Sequence, residues 1–254
     1  MNRLDGKVCV ITGAGGGMGA DAAHLFSEEG AQVCVADVDL GTAEKVAGEV
    51  GGLAVQVNVA EEDSVRAMYA AAKERFGGID VLYNNAGISP ADDDSILDTD
   101  LDAWERVQAV NTRGVYLCCK HGIPHLLERG GGSVINVASF VALVGAATSQ
   151  ISYTASKGAV LSMSRELGVQ FARQGVRVNA LCPGPVETPL LLRIWSETPG
   201  AAERRLVHVP MGRMAKPREI VNAALFLASD ESSYVNASTF LVDGGLTAAY
   251  VTPE

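Results

Sequence analysis

Short apolar runs alternate along the chain with longer segments that mix apolar and charged positions. The runs are rich in Val, Ile and Leu and favour buried strands, whereas the mixed segments are typical of helices. The predicted strands are 7–12, 32–37, 53–57, 79–84, 133–138, 176–181 and 238–243. The predicted helices are 20–26, 40–50, 61–76, 101–127, 152–173 and 217–229. The alternation predicts an α/β fold, with helices on both faces of one doubly wound, mainly parallel sheet of about seven strands.

One predicted helix is expected to be irregular. The segment 101–127 contains Gly122 and Pro124. A proline inside a helix removes one backbone hydrogen bond and crowds the preceding turn. We therefore expect this helix to break or kink near these two residues.

Length and charge narrow the class of protein. The chain has 254 residues with no evident linker or internal repeat, which favours one domain over 1–254. No apolar run approaches the roughly 20 residues of a membrane helix, and the first residues lead into a strand without a signal-peptide pattern. The net charge of −10 argues against binding to nucleic acid or to an anionic membrane. A cytoplasmic protein is expected.

Neither the cysteines nor the histidines predict a disulfide or a metal site. The cysteines are odd in number and lie in apolar contexts, as expected of buried reduced thiols: Cys9, Cys34, Cys118, Cys119 and Cys182. His121 and His125 are four residues apart, but no acidic or Cys partner stands at zinc-site spacing. The Asp-rich stretch 91–102 lacks the Gly and Glu of a calcium loop and is expected to be a solvated loop with a helix cap.

A glycine-rich turn, 13–19, separates the first predicted strand from the first helix, and the next strand ends at Asp37. This order is the context of a dinucleotide site. Glycines let phosphates approach the backbone, and the helix N-terminus offers N–H groups to the pyrophosphate. Asp37 can accept from a ribose 2′-OH and would repel the 2′-phosphate of NADP, so NAD is the expected cofactor. The alternative is that Asp37 only caps the helix 40–50.

Tyr153 and Lys157 are the candidates for proton transfer. They are four residues apart on a predicted helix, so both side chains lie on one face. A phenol has a pKa of about 10, and a nearby ammonium stabilises its anion, which would make Tyr153 an acid or base for a hydroxyl or carbonyl substrate. Ser139 follows the strand 133–138, at the sheet edge where such folds bind ligands. Ser139 and Tyr153 are therefore expected to meet in one cleft; the alternative is an amphipathic helix with a surface lysine.

Several motifs, taken together, resemble the short-chain dehydrogenase/reductase family over nearly the whole chain. They are Thr12-Gly13-Ala14-Gly15-Gly16-Gly17-Met18-Gly19, Asn84-Asn85-Ala86-Gly87, Asn111, Ser139, Tyr153 with Lys157, Pro183-Gly184 and Val242-Asp243-Gly244-Gly245. Each motif alone is weakly specific, but the ordered set is very specific. The resemblance implies a Rossmann-type domain that moves a hydride between a nicotinamide cofactor and a small alcohol or ketone.

The resemblance also implies a role for each matching residue. Tyr153 would be the general acid/base, Ser139 would hydrogen-bond the substrate oxygen, and Lys157 would lower the pKa of Tyr153 and bind the nicotinamide ribose. Asn111 would hold a water of the proton relay. The implied cofactor-binding residues are Gly13, Gly15, Gly16, Gly17, Met18, Gly19, Asp37, Val38, Asn58, Val59, Asn85, Ala86, Gly87, Tyr153, Lys157, Pro183, Gly184, Val186 and Thr188.

Two positions depart from the family pattern. Ser139 and Tyr153 are one residue further apart than is commonest, and the loop 145–150, which would line the cleft, is expected to absorb the extra residue. Asn58 stands where the family often has Asp to bind adenine. Its carboxamide can still donate and accept hydrogen bonds, so little loss is expected.

The leading prediction is therefore an NAD-dependent oxidoreductase that interconverts a secondary alcohol and a ketone. One alternative is a 3-oxoacyl-carrier-protein reductase. It is less favoured because that activity usually prefers NADPH, whereas NAD is expected here. In addition, the carrier protein is acidic, and so is this chain. Another is a non-redox regulatory protein that binds a dinucleotide, which the retained Tyr153 and Lys157 disfavour. A lyase or isomerase that uses the cofactor transiently is not excluded.

The substrate and the assembly are predicted less directly. Apolar residues lie in a predicted lid over 188–212 and directly after Ser139, at Phe140, Val141, Leu143 and Val144. An apolar pocket favours cyclic or long-chain hydroxy compounds over sugars, although packing on a neighbouring helix would explain the same residues.

The resemblance implies a homotetramer, in which the tail 244–254 would pack against a partner subunit.

Overall fold

The computed structural model of the chain describes residues 2–146, 148–188, 191 and 200–250. Its strands form one sheet: β1 Val8–Thr12, β2 Gln32–Asp37, β3 Leu53–Gln56, β4 Val81–Asn84, β5 Gly132–Val137, β6 Val176–Pro183 and β7 Thr239–Val242. The order across the sheet is β3-β2-β1-β4-β5-β6-β7, and every neighbouring pair is parallel. The predicted α/β fold is confirmed, with a sheet that is parallel throughout.

Helices cover both faces of this sheet. They are α1 Gly17–Glu28, α2 Leu40–Val50, α3 Glu62–Phe76, α4 Leu101–Val107, α5 Gly114–Glu128, α6 Ile151–Phe171, α7 Ala201–Leu206 and α8 Pro217–Ala228. One apolar core lies under α1, α2 and α8, and a second lies under α3, α5 and α6. The central strands β1 and β4 are buried along their whole length, which explains their continuous apolar sequences.

The strand order reverses between β1 and β4. The chain runs outward from β1 through β2 to β3, then returns to the other side of β1 and runs outward again from β4 to β7. Because all strands are parallel, their carboxyl ends meet at one edge, and the crevice at such a reversal is where doubly wound sheets bind ligands. Asp37, Asn85, Ser139 and Pro183 end or directly follow four of these strands, so the fold brings them to the same edge.

The predicted helix 101–127 is irregular, but at a different place from the one expected. α4 passes into a π-helical segment, Gln108–Arg113, and α5 then continues through Gly122 and Pro124. The expected break at those two residues is wrong. Pro124 removes one hydrogen bond, but Gly122 and Ile123 before it are buried in the core, and this packing holds the helix together.

Two smaller observations concern the rest of the chain. All five cysteines are buried free thiols, as predicted. Within the described ranges, no helix combines the length and the apolar character that crossing a membrane would need.

Candidate active site

The glycine-rich turn packs tightly on one side and is open on the other. A Cβ on Gly19 would lie 2.1 Å from the carbonyl oxygen of Gly13, and a Cβ on Gly15 would lie 2.2 Å from Thr42 Oγ1. In contrast, a Cβ on Gly16 or Gly17 would meet no atom within 4 Å. Gly13 and Gly17 also have positive φ angles of 64° and 53°, which favour glycine. Packing or backbone conformation therefore requires glycine at Gly13, Gly15, Gly17 and Gly19, whereas the turn borders open space at Gly16 and Gly17.

Helix α1 begins inside this turn, three residues earlier than predicted. Its N-cap is Gly16, no side chain among the described residues caps it, and its first turn contains no acidic residue. The first N–H groups of a helix have no partner within the helix and carry partial positive charge. Since the turn is open at Gly16 and Gly17, these N–H groups are placed where a phosphate could bind.

Asp37 closes β2 directly beside the turn. Its Oδ2 accepts from the Gly15 N–H at 2.8 Å, and its Oδ1 accepts from the Asp39 N–H at 3.1 Å. The cap of α2 is Asp39, whose side chain accepts from the Thr42 N–H. The alternative that Asp37 merely caps this helix is therefore wrong. The carboxylate instead holds the glycine-rich turn against the end of β2.

The three neighbouring cofactor candidates differ in exposure. Val38 is exposed, and its carbonyl accepts from Gln56. The Asn58 side chain is exposed, but its Oδ1 already accepts from the Ala60 N–H at 3.1 Å, so fewer of its polar atoms remain for an adenine than expected. Val59 is buried in the core under α3 and α5.

Asn85, Ala86 and Gly87 follow β4 and lie against the turn. Asn85 Nδ2 donates to the carbonyls of Thr12 and Gly13, each at 3.1 Å, and the Ala86 N–H donates to Thr12 Oγ1 at 3.2 Å. Asn85 Oδ1 is buried and has no hydrogen-bond partner among the described residues. A buried acceptor without a donor is costly and is often completed by a ligand or a water.

Ser139, Tyr153 and Lys157 meet at the ends of β5 and β6, as predicted. Ser139 is buried and lines the same cavity as Tyr153, close enough for its hydroxyl to lower the pKa of the phenol. Lys157 is buried, its Nζ lies 5.4 Å from the centre of the Tyr153 ring, and it donates to the Val137 carbonyl at 2.8 Å. The structure therefore brings together a phenol, a hydroxyl and an ammonium group.

The pKa values of this group differ from the expectation. Burial raises the pKa of Tyr153 above its ordinary value, and the hydrogen bond from Ser139 only partly opposes the rise. Burial also lowers the pKa of Lys157 to about 8. The expected lowering of the Tyr153 pKa by Lys157 is absent from this structure, because the lysine donates to a carbonyl of β5 and lies over the ring rather than at the phenol oxygen.

Asn111 lies in the π-helical segment and is fully buried. Its Oδ1 accepts from the Ile88 N–H at 2.8 Å, and its Nδ2 donates to the Ile88 carbonyl at 2.9 Å and to Ser156 Oγ at 3.1 Å. A Cβ on Gly87 would lie 3.4 Å from Asn111 Oδ1 and 3.5 Å from Lys157 Nζ. Asn111 and Lys157 therefore both lie against Gly87.

A cavity of about 920 Å³ lies beside Ser139 and Tyr153, whereas Lys157 and Asn111 are not among the residues that line it. Met18 from the glycine-rich turn, Ser139 and Tyr153 all line it, and so do the last residue of β6, Pro183, and three residues that follow this strand: Gly184, Val186 and Thr188. Another depression, of about 750 Å³, lies between α3 and α5 and touches none of the predicted site residues. The cavity of about 920 Å³ is therefore the candidate active site, because Ser139 and Tyr153 line it.

The remaining walls of the cavity are only partly those predicted. Phe140, Val141 and Val144 line it, whereas Leu143 does not and is exposed. Of the predicted lid, 189, 190 and 192–199 lie outside the described residues; Thr188 and Leu191 line the cavity. Leu246 and Ala249 line it as well, so part of the tail covers the site of its own chain.

One residue at this site was missed in the sequence. The stretch 91–102 was expected to be solvated, but Asp93 is buried and borders the cavity. Its carboxylate accepts from the N–H groups of Ser152 and Tyr153 at the start of α6. The cap expected in the same stretch is present at Asp100, which accepts from the Ala103 N–H at 2.8 Å. Three consecutive aspartates give no local signal of which one is buried.

Comparison with known proteins yields matches along almost the whole chain. A family model described as enoyl-(acyl carrier protein) reductase matches residues 13–247. The cis-4-hydroxycyclohexanecarboxylate dehydrogenase of Sinomonas cyclohexanicum is 40% identical over 247 residues, covering 95% of this chain and 97% of the relative. The meso-2,3-butanediol dehydrogenase of Serratia marcescens is 39% identical, covering 99% of both chains. The 3-oxoacyl-[acyl-carrier-protein] reductase of Thermotoga maritima is 37% identical, covering 96% and 99%.

Solved structures agree with these matches. A short-chain type dehydrogenase/reductase from Mycobacterium marinum superposes with a TM-score of 0.91 at 32% identity, covering 97% of both chains. A 3-ketoacyl-(acyl-carrier-protein) reductase from Brucella melitensis, solved in complex with NADH, superposes with a TM-score of 0.89 at 38% identity, covering 96% of this chain and 99% of that one.

Proposed function

Because the chain belongs to the short-chain dehydrogenase/reductase family and interconverts an alcohol with a ketone, we propose that NAD is its cofactor and that Tyr153 is its acid/base. One observation carries the proposal. Tyr153 and Ser139 line the same cavity as Met18 of the glycine-rich turn, and Lys157 lies against the tyrosine ring. The proposed proton carrier and one residue of the glycine-rich turn therefore border the same cavity.

The residues at the sheet edge fit a bound dinucleotide. The turn is open at Gly16 and Gly17, and the first turn of α1 has no acidic residue. Asn85 Oδ1 is a buried acceptor that meets no donor in the part of the chain that the structure describes. We assign the pyrophosphate to the N-terminus of α1 and the adenosine ribose to Asp37. The segment from Pro183 to Thr188 would hold the nicotinamide end. When bound, the nicotinamide ring supplies the hydride acceptor or donor.

The side chains of the chain itself would handle the proton. Tyr153 takes the proton of the substrate hydroxyl during oxidation and returns it during reduction. The Ser139 hydroxyl donates to the substrate oxygen and stabilises the negative charge that develops there. Lys157 is mainly an ammonium below a pH of about 8, and it donates to the Val137 carbonyl beside the Tyr153 ring. Asn111 holds the backbone at Ile88 and is the proposed site of a relay water.

The cavity supports a substrate with an apolar body. Phe140, Val141, Val144 and Leu246 contribute apolar wall beside the two hydroxyl groups. One relative is named for a hydroxylated cyclohexane derivative, which agrees with a cyclic substrate. We therefore propose a cyclic or long-chain secondary alcohol, or the matching ketone, as the substrate class.

The experiment is a screen of the purified protein with NAD and with NADP. Secondary alcohols, sterols, polyols, sugars and hydroxyacyl thioesters are compared by the rate of reduced-cofactor formation. We expect an apolar cyclic or long-chain alcohol to exceed every sugar in kcat/KM by at least about tenfold, because a desolvated polyol leaves hydroxyls unpaired against an apolar wall. A sugar that is used far better than any apolar alcohol would contradict the substrate class.

A 3-oxoacyl-carrier-protein reductase is the second candidate function. The Thermotoga maritima relative with that name supports it. The objection that such enzymes prefer NADPH carries less weight, since the Brucella melitensis structure named for this activity holds NADH. The net charge of −10 still opposes the binding of an acidic carrier. The thioesters in the screen separate the two candidates.

For the assembly we propose a homotetramer of single-domain subunits in the cytoplasm. The relatives cover nearly the whole chain, which supports one domain over 1–254. Leu97, Leu101 and Tyr116 are large apolar residues left exposed on and before the helices α4 and α5, and burial in an interface would account for them. Light scattering at micromolar concentration is expected to give four times the mass of 26.5 kDa; a monomeric mass would contradict the proposal.

A further inference from the structure

Helix α6 carries both Tyr153 and Lys157, yet it does not cap itself. Its N-cap residue, Gln150, makes no capping bond through its side chain. The first N–H groups of a helix then need acceptors from elsewhere in the protein. The Ile151 N–H, which comes first, donates to the carbonyl of Asp94 at 3.1 Å. The acceptor therefore belongs to a loop almost sixty residues earlier in the chain.

Asp93 binds the two N–H groups that follow. Its Oδ1 accepts from the Ser152 N–H at 2.8 Å, and its Oδ2 accepts from the Tyr153 N–H at 2.7 Å. The side chain is only 5% exposed. A buried carboxylate is costly unless it is fully hydrogen-bonded, and a helix N-terminus is a favourable place for its charge. Both oxygens are thus committed to the backbone that carries the phenol.

The same residue is part of the substrate wall. Ser89, Pro90, Ala91 and Asp94, its neighbours in the loop after β4, line the cavity together with Asp93. The Asp93 N–H donates to the Pro90 carbonyl at 3.3 Å. Asp93 consequently connects the loop beside the substrate to the main chain of Tyr153.

We propose that Asp93 is a positioning residue for the reaction: it holds the first turn of α6, and with it the phenol of Tyr153, in register with Ser139 and with the substrate loop. The inference rests on the proposed function, because Tyr153 is the acid/base of that reaction. A displacement of about 1 Å at a reacting group is enough to cost on the order of a hundredfold in rate. Asp93 itself transfers no proton, since both its oxygens face amide groups.

A second contact keeps the helix in place when Asp93 is changed. Gln108 Nε2 donates to the carbonyl of Ser152 at 2.9 Å and to its Oγ at 3.1 Å. Ser152 Oγ in turn donates to the Trp104 carbonyl at 3.0 Å. Substitutions at Asp93 are therefore expected to loosen the start of α6 rather than to unfold the protein.

The test compares Asp93→Ala, Asp93→Asn and a control, Asp92→Asn. Alanine removes both acceptors, whereas asparagine keeps one oxygen and so restores one bond. The neighbouring Asp92 is exposed and pairs with Arg106 instead of α6, so its variant reports the effect of charge alone. Each variant is titrated with NADH to count binding sites, and kcat and KM are then measured per binding site.

We expect kcat per binding site to fall roughly ten- to hundredfold in Asp93→Ala and by less in Asp93→Asn. The Kd for NADH should stay within about threefold, because the glycine-rich turn is untouched. The control should match the unmutated protein. A general loss of structure would lower the number of binding sites and leave kcat per site unchanged, and this result would overturn the proposal.

Amide hydrogen exchange separates this inference from the proposed function, since it requires no turnover. The N–H groups of 151–153 should exchange faster in Asp93→Ala than in the unmutated protein and at the unmutated rate in Asp92→Asn. Equal exchange in all three would overturn the role of Asp93 even if the enzyme is active. If Asp93→Ala does not fold, Asp93→Asn decides by the same two measurements. Faster exchange in Asp93→Ala, in a protein that lacks dehydrogenase activity, would support the contact between Asp93 and the first turn of α6 and would contradict only the proposed function.

Discussion

Tyr153→Phe is expected to abolish turnover, with a loss in kcat of at least 10²- to 10⁴-fold, the usual contribution of a positioned acid or base. The substitution removes one oxygen and keeps the ring that packs beside Lys157. The cradle between Gly13 and Gly19 and the carboxylate of Asp37 lie on other elements. The affinity for NADH should therefore change by less than about threefold. Steady-state kinetics on the best substrate of the screen, together with an NADH titration, measures both quantities.

The matched control is Tyr234→Phe. Tyr234 is fully exposed and does not line the cavity, so its loss of a hydroxyl should leave kcat unchanged. Retention of more than a few per cent of kcat in Tyr153→Phe would show that another group moves the proton. A loss of NADH binding in parallel with kcat would instead indicate that the tyrosine holds the cofactor.

The unmutated protein is expected to use NAD over NADP by roughly a hundredfold in kcat/KM. The carboxylate of Asp37 lies beside the turn at the end of β2, where the adenosine ribose is proposed to bind. A 2′-phosphate there would carry nearly two negative charges next to the carboxylate and lose the hydrogen bonds of the ribose. A penalty of ~3 kcal/mol corresponds to that ratio. In Asp37→Ala, the values of kcat/KM with NAD and with NADP should become much more similar. Both values are measured with the same substrate.

The hydrogen bond between Asp37 and the glycine-rich turn complicates the interpretation of Asp37→Ala. Asp37 accepts from the Gly15 N–H, so alanine also loosens the turn and should weaken both cofactors. Asp37→Asn removes the charge and keeps an oxygen acceptor, which isolates the electrostatic effect. Asp39→Asn removes a charge two residues away, at the cap of α2, and should leave the NAD/NADP ratio unchanged. Equal use of both cofactors before mutation, or an unchanged ratio in Asp37→Asn, would rule out Asp37 as the discriminator.

The sequence predicted the parts of the site that follow from strand order. Once the strands are parallel and doubly wound, residues such as Asp37, Asn85 and Ser139 must lie at one edge, because each stands at or just after a carboxyl end. The helical spacing of Tyr153 and Lys157 likewise placed both on one face. These are consequences of backbone geometry, and no knowledge of the packing was needed.

The parts that were not predicted depend on contacts between distant segments. Nothing near Pro124 indicates that tertiary packing would preserve α5, or that the irregular turn would fall at Gln108–Arg113. The Val137 carbonyl, to which Lys157 donates, belongs to a strand twenty residues earlier. Lys157 therefore does not lower the pKa of Tyr153 as expected, and burial raises that pKa instead. Asp93 resembles its two acidic neighbours in sequence and differs from them only through the helix it meets.

The segment between Ser139 and Tyr153 has a consequence for laboratory evolution. The chain is held at one end by the Val141 N–H, which donates to Ser139 Oγ, and at the other by the contacts of the first turn of α6. Between these ends, Gly145, Ala146, Thr148 and Ser149 line the cavity. A library that varies the length and sequence of this stretch would sample new substrate walls while the proton-transfer groups stay in place. Substrate selectivity and the rate of the chemical step can then be improved in separate rounds of selection.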